Sequence, residues 1–471
     1  MKRLTVITAL IFCFCVSPTR THAQVQDSFI TLNKRHLKAN VSSLTFSVLL
    51  NRTNRYFLAS GRDWADINFD RWKQNLQQWP EWDWDLYTTN WYAHPFQGAI
   101  YYNTSRSLKL GYGESIGYAL LGTSLWEYLG EDLPPSYNDF YTTFLGGIYM
   151  GEVLYRLSEN ILDDRVYGKK RLSKELLAAL VNPGGGLSRL MYGEIKDHHS
   201  ITNHLRVPMQ SKLSVSSIYM LSSSKESIQT LIPNLEYSVD YGLIDKGKIN
   251  YSPFEMFWLR SWLRFDKVDQ DRNEVQVPIP FFNIKSTAVI HGRNIFSNDT
   301  GFYLMALFQD YDYYKTFSFE FAAISFSVGF LQVLKYNKAG IQNRIQFGGI
   351  ALSAISSDAV DLIRPDDQGD ERDYTMGHGY MFKYNGLLDL NGVGRLSIAY
   401  DYWNTFIGSG LNGTESNYQI EFKYEYPITS SFSVASSFLR YSRRGEYQYD
   451  STDYKYADHN SEVEIHVIYS F

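Results

Sequence analysis

Cysteine is almost missing from this sequence: the 471 residues hold two, Cys13 and Cys15, both inside an N-terminal stretch expected to be removed. An exported chain without them has no disulfide, no thiolate metal site and no cysteine nucleophile. Excess positive charge is missing too, since 45 Lys and Arg face 50 Asp and Glu for a net −5, so no basic surface exists for nucleic-acid phosphates and no nucleic-acid partner is expected. After the N-terminal stretch no run of about 18 apolar residues occurs, which excludes a helical membrane anchor or a bundle of membrane helices. Proline is scarce at 13 residues while aromatics reach 16%, 37 of them Tyr, which excludes a disordered chain. The triplet Gly184-Gly185-Gly186 lacks the Lys of a phosphate-binding loop and follows Pro183 in what reads as a turn.

The N-terminus reads as a secretory signal over residues 1–23. Lys2 and Arg3 precede the apolar run Leu4 to Val16, and Thr21-His22-Ala23 ends in a small residue suited to cleavage. Removing Lys2, Arg3 and Arg20 with it takes the charge from −5 to −8. Phe14 before Cys15 is too bulky for lipoprotein processing.

The last 270 or so residues carry period two. Val463, Ile465, Val467, Tyr469 and Phe471 alternate with Glu462, Glu464, His466, Ile468 and Ser470. Tyr418, Ile420, Phe422, Tyr424 and Tyr426 alternate with Gln419, Glu421, Lys423 and Glu425. A soluble sandwich and a membrane barrel share this local pattern; loop lengths separate them. Counting back from Phe471, a long polar loop at 442–460, a short turn at 427–431, a Gly-rich loop at 407–417, a short turn at 389–394, a long acidic loop at 357–373 and a short turn at 336–340 alternate. Further strands fall near 317–334, 300–308, 281–294, 251–264, 234–244 and 205–220. The expectation is an all-β transmembrane barrel of about twelve antiparallel strands over 201–471, in the cell outer membrane of a Gram-negative bacterium, contacting outer-membrane lipids and the outer-membrane insertion machinery.

A different region precedes it. Residues 24–110 form a Trp-rich segment in which Trp64, Trp72, Trp79, Trp82, Trp84 and Trp91 stand close together, a pattern that suits packing or lipid headgroups before sugar stacking. Residues 111–200 hold a helical hairpin and a Gly-rich turn, with helices from Gly111 to Leu129 and Tyr137 to Leu162 broken by Pro134 and Pro135 and capped by Ser136 and Asp139. Gly113 and Gly117, and Thr143, Gly147 and Gly151, are spaced for close helix packing. Glu114, Glu127, Glu131, Asp139, Glu152, Arg156 and Arg189 form a candidate ligand or plug network; Glu152 and Arg156 are spaced to pair, as are Arg156 and Glu159. Glu114 and Glu152 lie among Gly and apolar residues and should face a lumen, a partner or each other.

Several of these residues carry a resemblance: His94-Pro95-Phe96-Gln97-Gly98 with Tyr101-Tyr102, Gly113-Glu114-Ser115, Trp126-Glu127-Tyr128, Pro135-Ser136 with Asp139, Gly146-Gly147, Gly151-Glu152 with Tyr155-Arg156-Leu157-Ser158, and Asn182-Pro183 with Gly185-Gly186-Leu187-Ser188-Arg189-Leu190. This block resembles the bacterial family of domain-of-unknown-function 3943, from exported Gram-negative proteins, over about residues 90–190. Asp373-Tyr374 is similar to a feature further on, but Thr375-Met376-Gly377-His378-Gly379 departs from the family's Gly-Pro-Gly. The resemblance implies location and fold and supplies no reaction.

For chemistry, His466 and Glu464 share a strand face and could form a general-base pair, and His94 could act as an acid or base. Metal signals are weak at His198, His199 and His204 and in the acidic run Asp366, Asp367, Asp370, Glu371 and Asp373, so neither a metal nor a cofactor is expected. The leading expectation is a barrel, plugged by its hairpin, that passes or handles a small or amphipathic molecule whose identity the sequence does not give. The alternatives are a membrane-embedded lipid- or glycolipid-modifying hydrolase and a surface adhesin or assembly partner using the loops at 357–373 and 442–460.

Overall fold

The computed structural model describes residues 22–56, 65, 67–83, 85–196, 204–223, 231–242, 244–267, 278–316, 320–356, 374–449 and 451–471. The leader over 1–21, Trp64, Trp84, His198, His199 and the acidic loop at 357–373 lie outside the described residues. The chain divides into two compact units, one made of residues 1–81 and 95–205 and the other of 82–94 and 206–471.

The first unit is helical. Its helices are α1 (His22–Tyr56), α2 (Phe69–Asn75), α3 (His94–Arg106), α4 (Tyr112–Leu129), α5 (Tyr137–Tyr141, continued by a π turn over Thr142–Gly146 and by Gly147–Ile161), α6 (Gly168–Val181) and α7 (Pro183–Met191). Local chemistry sets their starts. The Ser136 hydroxyl accepts from the Asp139 amide at 3.2 Å, and Asn182 accepts from the Gly185 amide at 2.9 Å with Pro183 in the first turn. The Gly184-Gly185-Gly186 triplet therefore belongs to a helix, where a turn was expected, because Asn182 and Pro183 together nucleate one. The stretch 24–110 is likewise mostly helical. Helices α3 and α5 cross with their backbones touching: a Cβ on Gly98 would lie 1.8 Å from the Thr143 carbonyl oxygen, and one on Gly147 would lie 2.6 Å from Gly98. Gly151 would meet the Tyr102 ring at 2.8 Å. Gly113 and Gly117 have nothing within 4 Å of such a Cβ, so the packing role expected of them is corrected: they lie on an open face.

The second unit is built on β1 (Met209–Ser223), β2 (Leu231–Tyr241), β3 (Phe257–Lys267), β4 (Pro278–Ser297), β5 (Gly301–Lys315), β6 (Glu320–Tyr336), β7 (Ala339–Ser356), β8 (Tyr374–Leu390), β9 (Gly394–Ser409), β10 (Asn412–Pro427), β11 (Phe432–Tyr449) and β12 (Thr452–Ser470). Each pairs antiparallel with its sequence neighbours, and β1 pairs with β12 in the register Val215↔Val467, closing a ring of twelve. The two-residue strand Asn250–Tyr251 adds a stub against Gly292 and Arg293. Two connections differ from expectation. Residues 442–460 are not a long loop; β11 and β12 continue through them, pairing Arg443↔Asp458 and Tyr449↔Thr452. Residues 407–417 likewise continue β9 and β10, pairing Phe406↔Thr414. These strands look like loops in the sequence because polar side chains line the barrel's interior there.

The barrel is inverted relative to a soluble protein. Val215, Ile465 and Val467 are more than half exposed on its outside, while Ser214, Ser216, Glu464 and His466, their neighbours in sequence, are buried inside. Apolar-out and polar-in around a closed ring is the arrangement of a β-barrel that crosses a membrane.

Candidate functional site

The lumen is layered, and the layers follow from which alternate residues each strand turns inward. At the end of the barrel that carries Met209 and Ser470, a polar cavity of about 570 Å³ is lined by Lys212, Glu236, Arg260, Lys285, Glu421 and Lys423, among others. Cross-lumen ion pairs tie distant strands together at its floor. Arg260 on β3 donates to Glu236 at 2.7 Å and to Glu421 on β10 at 2.6 Å. Lys285 on β4 pairs with Asp401 on β9. Lys383 on β8 donates to Asp310 at 3.0 Å and Asp312 at 2.7 Å on β5, with all three side chains fully buried. Arg264 on β3 reaches Glu462 on β12 at 2.8 Å. A hydrophobic layer follows, made of Trp262, Tyr314, Phe321, Met381, Trp403 and Tyr441 with Ile350 and Ile355. Beyond it Arg443 grips Glu415 with two hydrogen bonds of 2.8 and 3.1 Å, and Tyr447 donates to the same carboxylate at 2.5 Å. At these levels side chains of the wall pack against one another inside the lumen.

His466 and Glu464 do face the lumen together, with Nε2 of His466 3.5 Å from Glu464. Serines that the sequence could not place beside them are there: Ser437 lies 2.9 Å from Nε2 and Ser214 3.3 Å from Nδ1. Glu464 itself accepts from Ser216 at 2.6 Å and Asn234 at 2.7 Å. In a serine–histidine–acid relay the acid and the nucleophile use opposite ring nitrogens. Here Ser437 and Glu464 share Nε2, while Ser214 on Nδ1 stands opposite Glu464. His94, in the segment of residues 82–94 that groups with the barrel, is buried with its Nε2 3.6 Å from Asp85.

That segment packs on the outer face of the wall. Tyr311 and Tyr313 alternate with the lumen-facing Asp310 and Asp312, so their rings point outward. There Tyr87 stacks on Tyr313 at 5.4 Å and donates to the Tyr314 carbonyl at 2.9 Å. Tyr311 donates to the Trp91 carbonyl, and Tyr374 to that of Asp85 at 2.7 Å.

The candidate network on the helices resolves into separate clusters. Glu152 is fully buried and accepts from Arg106 at 2.8 Å, Arg156 at 2.8 Å and the Tyr102 hydroxyl at 2.6 Å. Burial and the neighbouring Glu152 charge push the Tyr102 hydroxyl well above its ordinary pKa. Arg189 clasps Glu175 with bonds of 2.9 and 2.7 Å. Glu127 accepts from the Ser136 amide at 3.0 Å, Glu131 from the Trp126 indole, and Asp139 from Asn138 at 3.1 Å. Glu114 departs from the expectation of burial: it is partly exposed, takes the Gly111 amide at 2.6 Å to cap its own helix, and lies 3.3 Å from His36. Glu159 pairs with Lys109 at 2.5 Å and His204 at 3.0 Å, where the spacing had suggested Arg156. Burial would raise its carboxyl, but the bonds from His204 and Lys109 hold it down at about 2. His204 also meets Asp164 at 3.1 Å.

Residues 79–184 match a family model described as Domain of unknown function (DUF3943). This stretch is a DUF3943 domain. It covers α3, α4, α5 and α6 together with the segment on the barrel wall, and ends before the first strand. No curated protein matches the sequence. Among solved structures, the barrel is similar to the NanC porin, at 8% identity and a TM-score of 0.28 over 54% of this chain and 98% of that one. It is also similar to OmpT of Vibrio cholerae, at 10% identity and a TM-score of 0.19 over 56% and 99%. An anion-selective porin from Comamonas acidovorans matches at 7% identity and a TM-score of 0.22 over 56% and 99%. Likenesses this distant carry no argument about activity. The chain is a barrel of the outer-membrane type on the strength of its own register and its inverted faces.

Proposed function

We propose that this DUF3943 protein is an outer-membrane conduit for a small polar or amphipathic molecule, held shut by its own wall. One observation carries the reading: the polar cavity, open at the end that bears Met209 and Ser470, stops at the cross-lumen pairs and the layer of Trp262, Tyr314, Phe321 and Trp403. A purely structural barrel has no need of a charged vestibule that ends in an apolar seal. In this reading the chain is exported by its leader over residues 1–23, the vestibule admits solute, and the seal sets when it passes. Closure by the hairpin of residues 111–162 is a second element of the same proposal. Proteoliposome swelling with small sugars and amino acids tests it. Swelling is slow with the intact chain and rises with Phe321→Ala plus Trp403→Ala; rates that stay at the intact level in a folded variant contradict the seal. A chain lacking residues 111–162 isolates the hairpin's share.

The hydrolase reading has the Ser437–His466 contact in its favour. Ser214 on Nδ1 also stands opposite Glu464 on Nε2, but the full burial of His466 weighs against it. A fluorophosphonate probe that labels the intact chain but not Ser437→Ala or Ser214→Ala would establish it; no labelling is expected.

A further inference from the structure

The helical unit is inverted in the same sense as the barrel. Helix α6 turns Arg171 and Glu175 inward, where Arg171 donates to the Ile195 carbonyl at 2.7 Å and meets Glu175 at 3.3 Å. Its leucines point the other way: Leu172 is 53% exposed, Leu176 58%, Leu177 51% and Leu180 78%. Helix α1 repeats the pattern. Ser42, Ser43 and Asn51 are buried, with Ser43 bonded to Thr104 at 2.6 Å and Asn51 to the Gly130 carbonyl at 3.1 Å. Leu37, Val41, Leu44 and Val48 are exposed at spacings of four, three and four, which is a single stripe on a helix. A protein folded in water puts such stripes inside and such ions outside. Two separate helices of one unit do the reverse.

We infer that these two helix faces rest in the acyl region of a phospholipid bilayer, making the DUF3943 unit a monotopic membrane domain. Three further observations select lipid over another protein surface. The α1 stripe is bracketed by Lys34 and Arg35 at one end and Arg52 and Arg55 at the other, with no acidic residue from 31 to 56, and α6 opens on Lys169 and Lys170 beside the exposed Tyr167. Cations at the edges of an apolar stripe match lipid phosphates. The apolar part of α1 spans about 20 Å at 1.5 Å per residue, short of the roughly 30 Å hydrocarbon core, and no helix among the described residues is long and apolar enough to cross a membrane, so the helices lie in the plane. Only residues 206–208 separate the unit from β1, a strand of the membrane barrel, so the unit is tethered to the bilayer.

Site-directed spin labelling of the whole chain in phospholipid nanodiscs tests this, in a Cys13→Ser, Cys15→Ser background so that each label is unique. Labels go at Leu44→Cys, Leu176→Cys and Leu180→Cys, with Val215→Cys as the lipid-facing reference on the barrel and Lys455→Cys as the aqueous one. The inference expects the three helix sites to collide with oxygen more than with a water-soluble nickel chelate, as Val215→Cys does. A chelate-dominated ratio like that of Lys455→Cys overturns it in favour of water. Shielding from both reagents overturns it in favour of a protein partner or second copy.

Discussion

The barrel and the helical unit both hide charge and show leucine and valine, yet they stabilise that inversion differently. In the barrel every strand is hydrogen-bonded on both sides by the closed register, so the backbone is satisfied before any side chain is chosen. The lumen ions can then reach between strands far apart in sequence, as Lys285 does to Asp401. In the helical unit nothing closes the assembly but side chains and a few tight crossings. Its buried ions are clustered at helix junctions, Glu152 between α3 and α5 and Arg189 between α6 and α7. Ring closure thus tolerates a polar interior as a matter of geometry, whereas the helices depend on individual contacts such as Gly98 against Thr143.

The sharpest break in that comparison is Gly98→Leu. With the Cβ already inside the Thr143 carbonyl, the α3–α5 crossing cannot form, and the helical unit should lose its protease resistance while the barrel keeps its heat-modifiable gel shift. Next is Lys383→Met, which strands Asp310 and Asp312 in the wall; one uncompensated buried partner costs about 3–5 kcal/mol, read as a lower urea midpoint for the barrel alone. Glu152→Gln should weaken only the helical unit, by about 2–3 kcal/mol, because Arg106 and Arg156 lose a charged acceptor but keep a hydrogen-bonding one. The pH dependence follows from Glu159. Its carboxyl sits at about 2 when folded against an ordinary 4.5, so its stabilisation is complete above 4.5 and disappears as pH falls towards 2. Hydrogen exchange of helical-unit amides should accelerate across that window, and Glu159→Gln should flatten the response. The smallest effect is Gly117→Ala, on the open face of α4, expected to stabilise by up to about 1 kcal/mol in a thermal melt.

Much of the barrel was legible because period two is a backbone property. The alternation from Tyr418 to Tyr426 sorts Gln419 and Glu421 to the inside and Phe422, Tyr424 and Tyr426 to the outside, as found. The spacing of Glu152 and Arg156 also found its pair. What the sequence hid were partners set by closure. Lys383 stands between Phe382 and Tyr384 in a clear strand pattern, which marks it as lumen-facing, but its bond to Asp310 spans 73 positions. Glu114 misled because its glycine neighbours suggested a buried helix face, whereas Gly113 and Gly117 border open space and the acid caps its own helix. The segment over residues 442–460 misled for the opposite reason: Arg443 and Asp458 look like loop polarity but belong to strands.

Planar-bilayer conductance tests the central claim, a lumen sealed by its own wall, most directly. The intact protein should stay closed or nearly so, and Phe321→Ala with Trp403→Ala should open a steady, larger conductance while the barrel stays folded. A large open conductance from the intact chain, or silence from the folded double variant, would contradict it.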